Sequence, residues 1–325
     1  MSITGNNVIS NIWKSLKKNN SVRLFLVLVV FIVFMCIVSP PFRSVSNIIS
    51  VVRLFTPIAI AGIGVTIIII TGGIDLSLGS LYGLAGVVAA YCLSIGMPTF
   101  PALISAILAA SAFGFFNGLC VVKINLPPFI ATLATMSIAR SVCLIITQGF
   151  PISRLSAAFL FIGQGHLFGI PFQIWIMLMI AIIFWVFLNL TVTGRRIYAI
   201  GGNEEAARIS GVNTGRVKIL AYILCSTLAG VAGIVTASRL GVGQPTSGMG
   251  FELDAIAAVA IGGVSMSGGY GRISGTLIGA AIMGLIRNSL VLLAIDAYYQ
   301  QLIIGLVILT AVSIDQIGKK MANKK

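Results

Sequence analysis

The chain has 325 residues, 58% of them hydrophobic and only 9% charged, against about 25% charged in a soluble domain. A surface of that composition would not stay in water, so a soluble globular protein is excluded and an integral membrane protein is implied. The net charge of +14 does not indicate nucleic-acid binding, because the cations stand in loops and tails rather than in a basic, aromatic-laced globular segment.

Residues 1–21 set Ile12, Trp13 and Leu16 beside Lys14, Lys17 and Lys18, the pattern of a short interfacial helix on a cytoplasmic membrane face. Apolar runs of about 20 residues then recur, the length that crosses a hydrocarbon layer as a helix. Spans are expected over 22–38, 51–71, 76–95, 101–122, 128–147, 174–191, 219–239, 273–293 and 299–314. A shorter apolar piece, 255–261, follows the linker GVGQPTSGMGFELD and counts as the eighth in order. A long connection, 148–173, rich in Gly, Phe and Pro, holds the one histidine, His166, read as a loop residue. A polytopic domain is thus expected over 22–318, followed by a basic cytoplasmic tail over 319–325. The predicted fold class is an all-α integral membrane protein of about ten transmembrane helices with two glycine-rich interrupted segments. The cysteines, Cys36, Cys92, Cys120, Cys143 and Cys225, fall inside apolar spans and read as small packing residues.

With the N-terminus inside and ten spans, 15 of the 21 cations fall on the inner side, and only Arg43, Arg53, Arg154 and Arg239 fall outside. The positive-inside rule therefore puts both termini in the cytoplasm. TGGIDLSLGSLYG at 71–83 resembles IGGVSMSGGYGRISG at 261–275. Glycine-rich interruptions at matching places suit broken helices that line a substrate path, and equally suit tight turns with close packing. Gly79–Gly83, Gly114–Gly118 and Gly275–Gly279 are GxxxG pairs that favour close helix contact.

The long polar run between spans is Gly194 to Lys218. Asn203 suits an N-cap, Glu204 and Glu205 suit the positive start of a helix, and Gly211 suits a stop about two turns later. A short capped helix there is either an ordinary cytoplasmic loop or a knob for a soluble partner. Glu204, Glu205 and Arg208 could pair across an interface, and Ala206, Ala207 and Ile209 could fill a shallow cleft. Among ionisable residues at membrane depth, Asp75 reads as the cap of the third span or as a substrate contact. Glu252 and Asp254 read as caps of the eighth piece. Arg140 and Arg287 either snorkel or pair with a carboxylate such as Asp296. No phosphate-binding loop, Ser/His/Asp group, HExxH or Cys/His cluster is present. No catalytic residues, metal or cofactor are expected, and ATP would have to sit on another chain.

TGGIDLSLGS (71–80), GRRIYAIGGNEEAARISGV (194–212), QPTSGMGFELDAIAAVAIGG (244–263) and GYGRISGTLIGA (269–280) resemble the permease subunit of bacterial ABC importers for sugars, close to the ribose type. The similarity runs over nearly the whole chain. It implies a second permease subunit, a cytoplasmic ABC ATPase and a periplasmic or lipid-anchored sugar-binding protein as partners. It implies import of a monosaccharide, ribose or a relative such as xylose, arabinose, galactose, galactofuranose or a furanose autoinducer. A proton-coupled carrier is the rival class, and the scarcity of acids inside spans weighs against it. The family's coupling helix falls on Asn203–Gly211. Candidate path residues are Gly72, Gly73, Asp75, Ser77, Asn117, Asn125, Thr132, Gln244 and Asn288. Related importers carry an inverted repeat, whereas the span count puts both glycine turns on one side.

Overall fold

A computed structural model describes residues 20–322. The interfacial segment expected over 1–21 lies outside the described residues but for its last two positions, as do the last three residues of the expected tail. Among the described residues the chain is helical apart from one two-stranded hairpin and its connecting loops.

Helix α1, Asn20–Val38, ends at a short 3-10 turn over Pro40–Arg43. Helix α2, Val45–Ile70, starts where the Ser44 hydroxyl accepts the Asn47 N–H. Helices α3, Leu78–Ser94, α4, Thr99–Lys123, and α5, Pro128–Thr147, follow. Pro128 opens α5 because its missing N–H would be unpaired there in any case. The connection expected as loop over 148–173 is partly ordered. It contains helix α6, Ala157–Gln164, capped by Ser156, and strands β1, His166–Leu167, and β2, Ile170–Pro171. Helix α7, Phe172–Leu190, comes next.

The polar run after α7 holds two helices rather than one. Helix α8, Val192–Gly202, was not expected; the Thr191 hydroxyl caps it by accepting the Gly194 N–H. Helix α9, Glu204–Ile209, is the short capped helix. Helix α10, Thr214–Leu240, is capped by Asn213. Helix α11, Phe251–Ile261, begins four residues before the expected eighth piece, because Gly250 at φ +78° turns the chain into it. Helix α12 is Ile273–Leu292, and α13, Ala297–Ala322, carries on through the first four residues of the expected tail.

Among the described residues, six helices, α2, α4, α5, α7, α10 and α12, are long and apolar enough to cross a membrane, and shorter apolar stretches lie at Leu24–Val38, Leu78–Ser94 and Tyr298–Thr310. Helices α2, α10 and α12 are mostly buried inside the protein, whereas α4, α5 and α7 expose most of their surface. Helix α10 is the centre: it packs against α2, α3 and α4. It can do so because small residues let backbones approach. A Cβ added at Gly233 would lie 1.9 Å from the Tyr82 carbonyl oxygen, and one at Gly114 would lie 2.7 Å from that of Tyr222. The GxxxG pairs therefore serve close contact. The cysteines are free, and all but the half-buried Cys36 are buried, as packing residues would be.

This packing has a direct test. Gly233→Leu drives a side chain into the α3 backbone and is expected to cost about 3 kcal/mol or more, read as a lowered melting temperature of the detergent-solubilised protein. Gly305, with no heavy atom within 4 Å of an added Cβ, is the control: Gly305→Ala is expected to melt with the wild type.

Candidate functional site

Two helix starts meet deep in the protein. The chain leaves α2 at Thr71 and runs extended beside α10 before α3 begins at Leu78. Along that run the Tyr222 hydroxyl donates to the Ile74 carbonyl (3.4 Å) and the Ser226 hydroxyl to Asp75 Oδ2 (3.4 Å). Ser226 lies at the middle of the 27-residue α10, so Asp75 sits near mid-depth. Asp75 Oδ1 accepts the Ser77 N–H (2.9 Å) and hydroxyl (2.5 Å), and Asn117 Nδ2 donates to Ser77 Oγ (3.0 Å). Asp75 thus holds Ser77, the N-cap residue of α3, from the run before the helix rather than capping its first turn.

From the other end, the chain leaves α10 at Gly241 and descends to α11. The two starts touch: a Cβ on Gly79 would lie 2.2 Å from the Gly248 carbonyl oxygen, and the Tyr82 and Phe251 rings stack with centroids 4.3 Å apart. Arg140 of α5 holds the junction. Its Nη1 donates to the carbonyls of Pro245 (2.5 Å) and Ser247 (2.7 Å), and its Nη2 to that of Gly79 (3.3 Å). Neither a snorkelling cation nor an acid partner describes it. Arg287 does have an acid partner, but it is Asp254, at 2.6 Å, rather than the expected Asp296. Asp254 and Arg287 face each other between α11 and α12, whereas Asp296 Oδ1 caps α13 by accepting the Tyr298 N–H.

Beside this junction a cavity of about 370 Å³ is lined by Ser80, Ser137, Arg140, Ser141, Glu252 and Met249, among others. Its donors and acceptors are hydroxyls, one carboxylate and a guanidinium already engaged with carbonyls. That set can hold and release a neutral polar solute but assembles no reacting pair. The expected path residues divide. Asp75, Ser77 and Asn117 come together, one layer behind the cavity. Thr132 bonds its own helix at Pro128, Gln244 donates to Thr246, Asn288 donates to Asn47 Oδ1, and Asn125 is exposed between α4 and α5. Gly72 and Gly73 form the turn after α2. Ser80, Ser137 and Ser141 were not singled out from sequence. Ser137, Arg140 and Ser141 at i, i+3 and i+4 share one helix face, a signal that was there to read.

A second feature lies at the end of α2. Gly201 of α8 is wedged against two turns, an added Cβ lying 1.7 Å from the Ile70 carbonyl oxygen and 2.4 Å from the Gly269 N–H nitrogen. Gly269 N–H itself donates to Ile70 O (2.9 Å), so the two glycine turns, 71–77 and 262–272, touch at one end of the protein. Helix α9 follows directly. Asn203 Oδ1 accepts the Ala206 N–H (2.9 Å), and the helix closes with Gly211 N–H to Arg208 O and Val212 N–H to Ala207 O around Gly211 at φ +82°. Arg208 grips Glu205 and holds its carboxyl below the usual range, and Lys218 reaches Glu204. Ala207, expected to face a partner, is turned inward and buried, since α9 needs one face on the protein; Ile209 is 77% exposed.

The family described as branched-chain amino acid transport system / permease component matches residues 47–312. The ribose import permease protein RbsC of Haemophilus influenzae is 42% identical over 297 residues, covering 90% of this chain and 92% of its own. RbsC of Bacillus subtilis is 42% identical over 294 residues, covering 90% and 91%. The D-allose transport system permease protein AlsC of Escherichia coli is 35% identical over 298 residues, covering 91% of each. No solved structure matches the chain.

The role of Arg140 can be measured. Arg140→Met leaves three part-buried carbonyls without their charged donor and is expected to cost about 2–4 kcal/mol in a thermal melt. Arg140→Lys, a point charge that cannot fork to three acceptors, should recover only part of that. Arg154→Met, at an exposed position, should stay within about 0.5 kcal/mol of wild type.

Proposed function

Since the chain belongs to the permease-component family that it matches over residues 47–312, we propose that it is the membrane-spanning subunit of an ATP-driven importer for a monosaccharide of the ribose type. The observation that carries this reading is identity of 42% with ribose import permeases over nine-tenths of both chains. The family description names branched-chain amino acids, whose bound form carries both charges. The cavity supports the sugar instead: Arg140, its one cation, has donors committed to three backbone carbonyls, so a substrate carboxylate would compete with the protein for it. Serine hydroxyls suit a neutral polyol. Allose and arabinose permeases among the relatives make other monosaccharides the alternative within the same mechanism.

Ten spans with both termini in the cytoplasm is the proposed topology, in the inner membrane. α3 and α11 then serve as half-crossing helices whose starts flank the sugar path, and α9 faces the cytoplasm. Two permeases share one path, a binding protein delivers sugar from outside, and a cytoplasmic ATPase docks on Glu204, Glu205, Arg208 and Ile209. Alternating access follows from the wiring at Gly201: a push on α9 is delivered through α8 to Ile70 and Gly269, the ends of the two turns that lead to the half-crossing helices. The sugar is not chemically changed. The defining experiment is uptake of labelled ribose into vesicles containing the permease. Uptake should require added ATPase, ATP and binding protein, and should persist with an uncoupler; uptake that collapses with the proton gradient would make the protein a secondary carrier.

Two variants test the docking helix. Glu205→Lys breaks the pair with Arg208 and reverses an exposed charge, and Gly211→Pro removes both the positive φ and the N–H that closes α9. Both should insert at wild-type level, lose most co-purifying ATPase, since an anchored interface side chain commonly costs more than about 2 kcal/mol, and abolish uptake. Normal ATPase retention and uptake in both would make α9 only a loop.

Topology is tested separately in a cysteine-free background. Ile209→Cys should react with an impermeant thiol reagent only from the cytoplasmic side. Phe168→Cys, at the 87% exposed tip of the β1–β2 hairpin, should react only from outside. Labelling of Ile209→Cys in intact cells would overturn the orientation.

A further inference from the structure

Away from the junction, two cavities adjoin on the outside of the bundle between α7 and the start of α12. One, of about 250 Å³, is lined by Trp185, Asn189, Arg272, Ile273 and Ser274. The other, of about 240 Å³, shares Trp185, Ile273 and Ser274 and continues past Ile182 to Leu178 and Leu277. Together they form one groove running along α7 from Asn189 to Leu178, about 16 Å at helical rise. Its two ends differ in chemistry. The Asn189 end is polar and cationic; the Leu178 end is lined almost wholly by carbon.

The polar end offers donors that the protein leaves unused. The Arg272 side chain makes no hydrogen bond or ion pair with a described residue, and Arg272 supplies no side-chain cap to α12. Arg272 and Ser274 are exposed side by side at this end, a cation and a hydroxyl suited to an anionic headgroup. Asn189 commits Nδ2 to the Trp185 carbonyl (2.8 Å), which leaves its Oδ1 as an acceptor for a hydroxyl. Trp185 stands at the change from polar to apolar, as indoles do at a membrane interface. The apolar end lies on a helix that exposes Leu178, Ile182 and Trp185. A headgroup anion above and a hydrocarbon slot below, within one groove on the lipid-facing surface, match one kind of molecule.

We infer that the groove between α7 and α12 binds an anionic phospholipid, its phosphate on Arg272 and Ser274, and an acyl chain along Ile182 and Leu178. The occupant is a membrane lipid rather than free phosphate, because the apolar half would otherwise face lipid as an unfilled slot. A lipid here braces α12 at its first turn, next to the 262–272 turn that meets α8 at Gly201. The leaflet it belongs to rests on the orientation proposed above. Binding itself does not, so the two can fail separately.

The experiment uses the full chain with Trp13→Phe and Trp175→Phe, leaving Trp185 as the sole tryptophan, excited selectively over tyrosine. It is titrated in mixed micelles with phosphatidylglycerol or phosphatidylcholine carrying brominated acyl chains. Trp185 quenching by phosphatidylglycerol is expected at a mole fraction about fivefold lower than by phosphatidylcholine, the weight of one arginine against an anionic headgroup. Arg272→Gln should bring the two curves together, Arg272→Lys should keep them apart, and all variants should melt with the parent. Glycerol phosphate, a headgroup without chains, should not displace the lipid. Coincident curves in the parent, or a preference untouched by Arg272→Gln, would overturn the inference. Displacement by glycerol phosphate or inorganic phosphate would make this a free-anion site. A change of oligomeric state in Arg272→Gln would make it an interface between copies of the chain. Either result removes the lipid.

Discussion

Everything in this protein depends on satisfying backbone hydrogen-bonding groups where two helices begin inside the protein. Hydrocarbon offers no partner for a free N–H or C=O, so irregular backbone at that depth survives only if protein or enclosed water pairs it. Asp75 supplies acceptors at the start of α3, and Arg140 supplies donors to Gly79, Pro245 and Ser247 where α3 meets the descent to α11. Six of the seven acids in the chain stand at helix starts: Asp75, Glu204, Glu205, Glu252, Asp254 and Asp296. A carboxylate is favoured there by the positive end of the helix.

The second constraint is closeness. The two helices that begin there can flank a cavity only if the elements behind them pack without gaps. α10 does this through residues with little or no side chain, such as Gly233 against the Tyr82 carbonyl. The polar contacts behind the cavity, Ser77 with Asn117 and Ser226 with Asp75, keep that packing in one register.

Gly201 joins these two ideas to a partner. Its contact with Ile70 and Gly269 leaves no room for a soft connection between α8 and the two turns. Packed backbones shift as units, so displacement of α9 has to be shared by both turns at once. In the proposed importer, a short capped helix on that stem would be a lever whose other arm is the junction. The groove between α7 and α12 lies beside that stem, which gives surrounding lipid a place from which to bias it.

Much of this was legible from residues alone. Long apolar runs set α2, α4, α5, α7, α10 and α12 within a few residues, because a helix that buries its own backbone needs only length and hydropathy. Asn203 and Gly211 marked α9 because caps are local chemistry, and the motifs at 71–80 and 194–212 marked the family. α6 and α8 were missed: helices of eight and 11 residues owe their stability to what they pack on. The partner of Arg287 was misjudged and the duty of Arg140 unforeseen, because Asp254 and the carbonyls at 245 and 247 lie far away in sequence. Ala207 was taken for a contact residue because a six-residue helix does not declare which side it buries. Composition, periodicity and capping act over a few residues, and those the sequence determined. Which buried charge meets which acceptor, and which serines face one cavity, depends on how distant helices cross, and only the tertiary structure decided that.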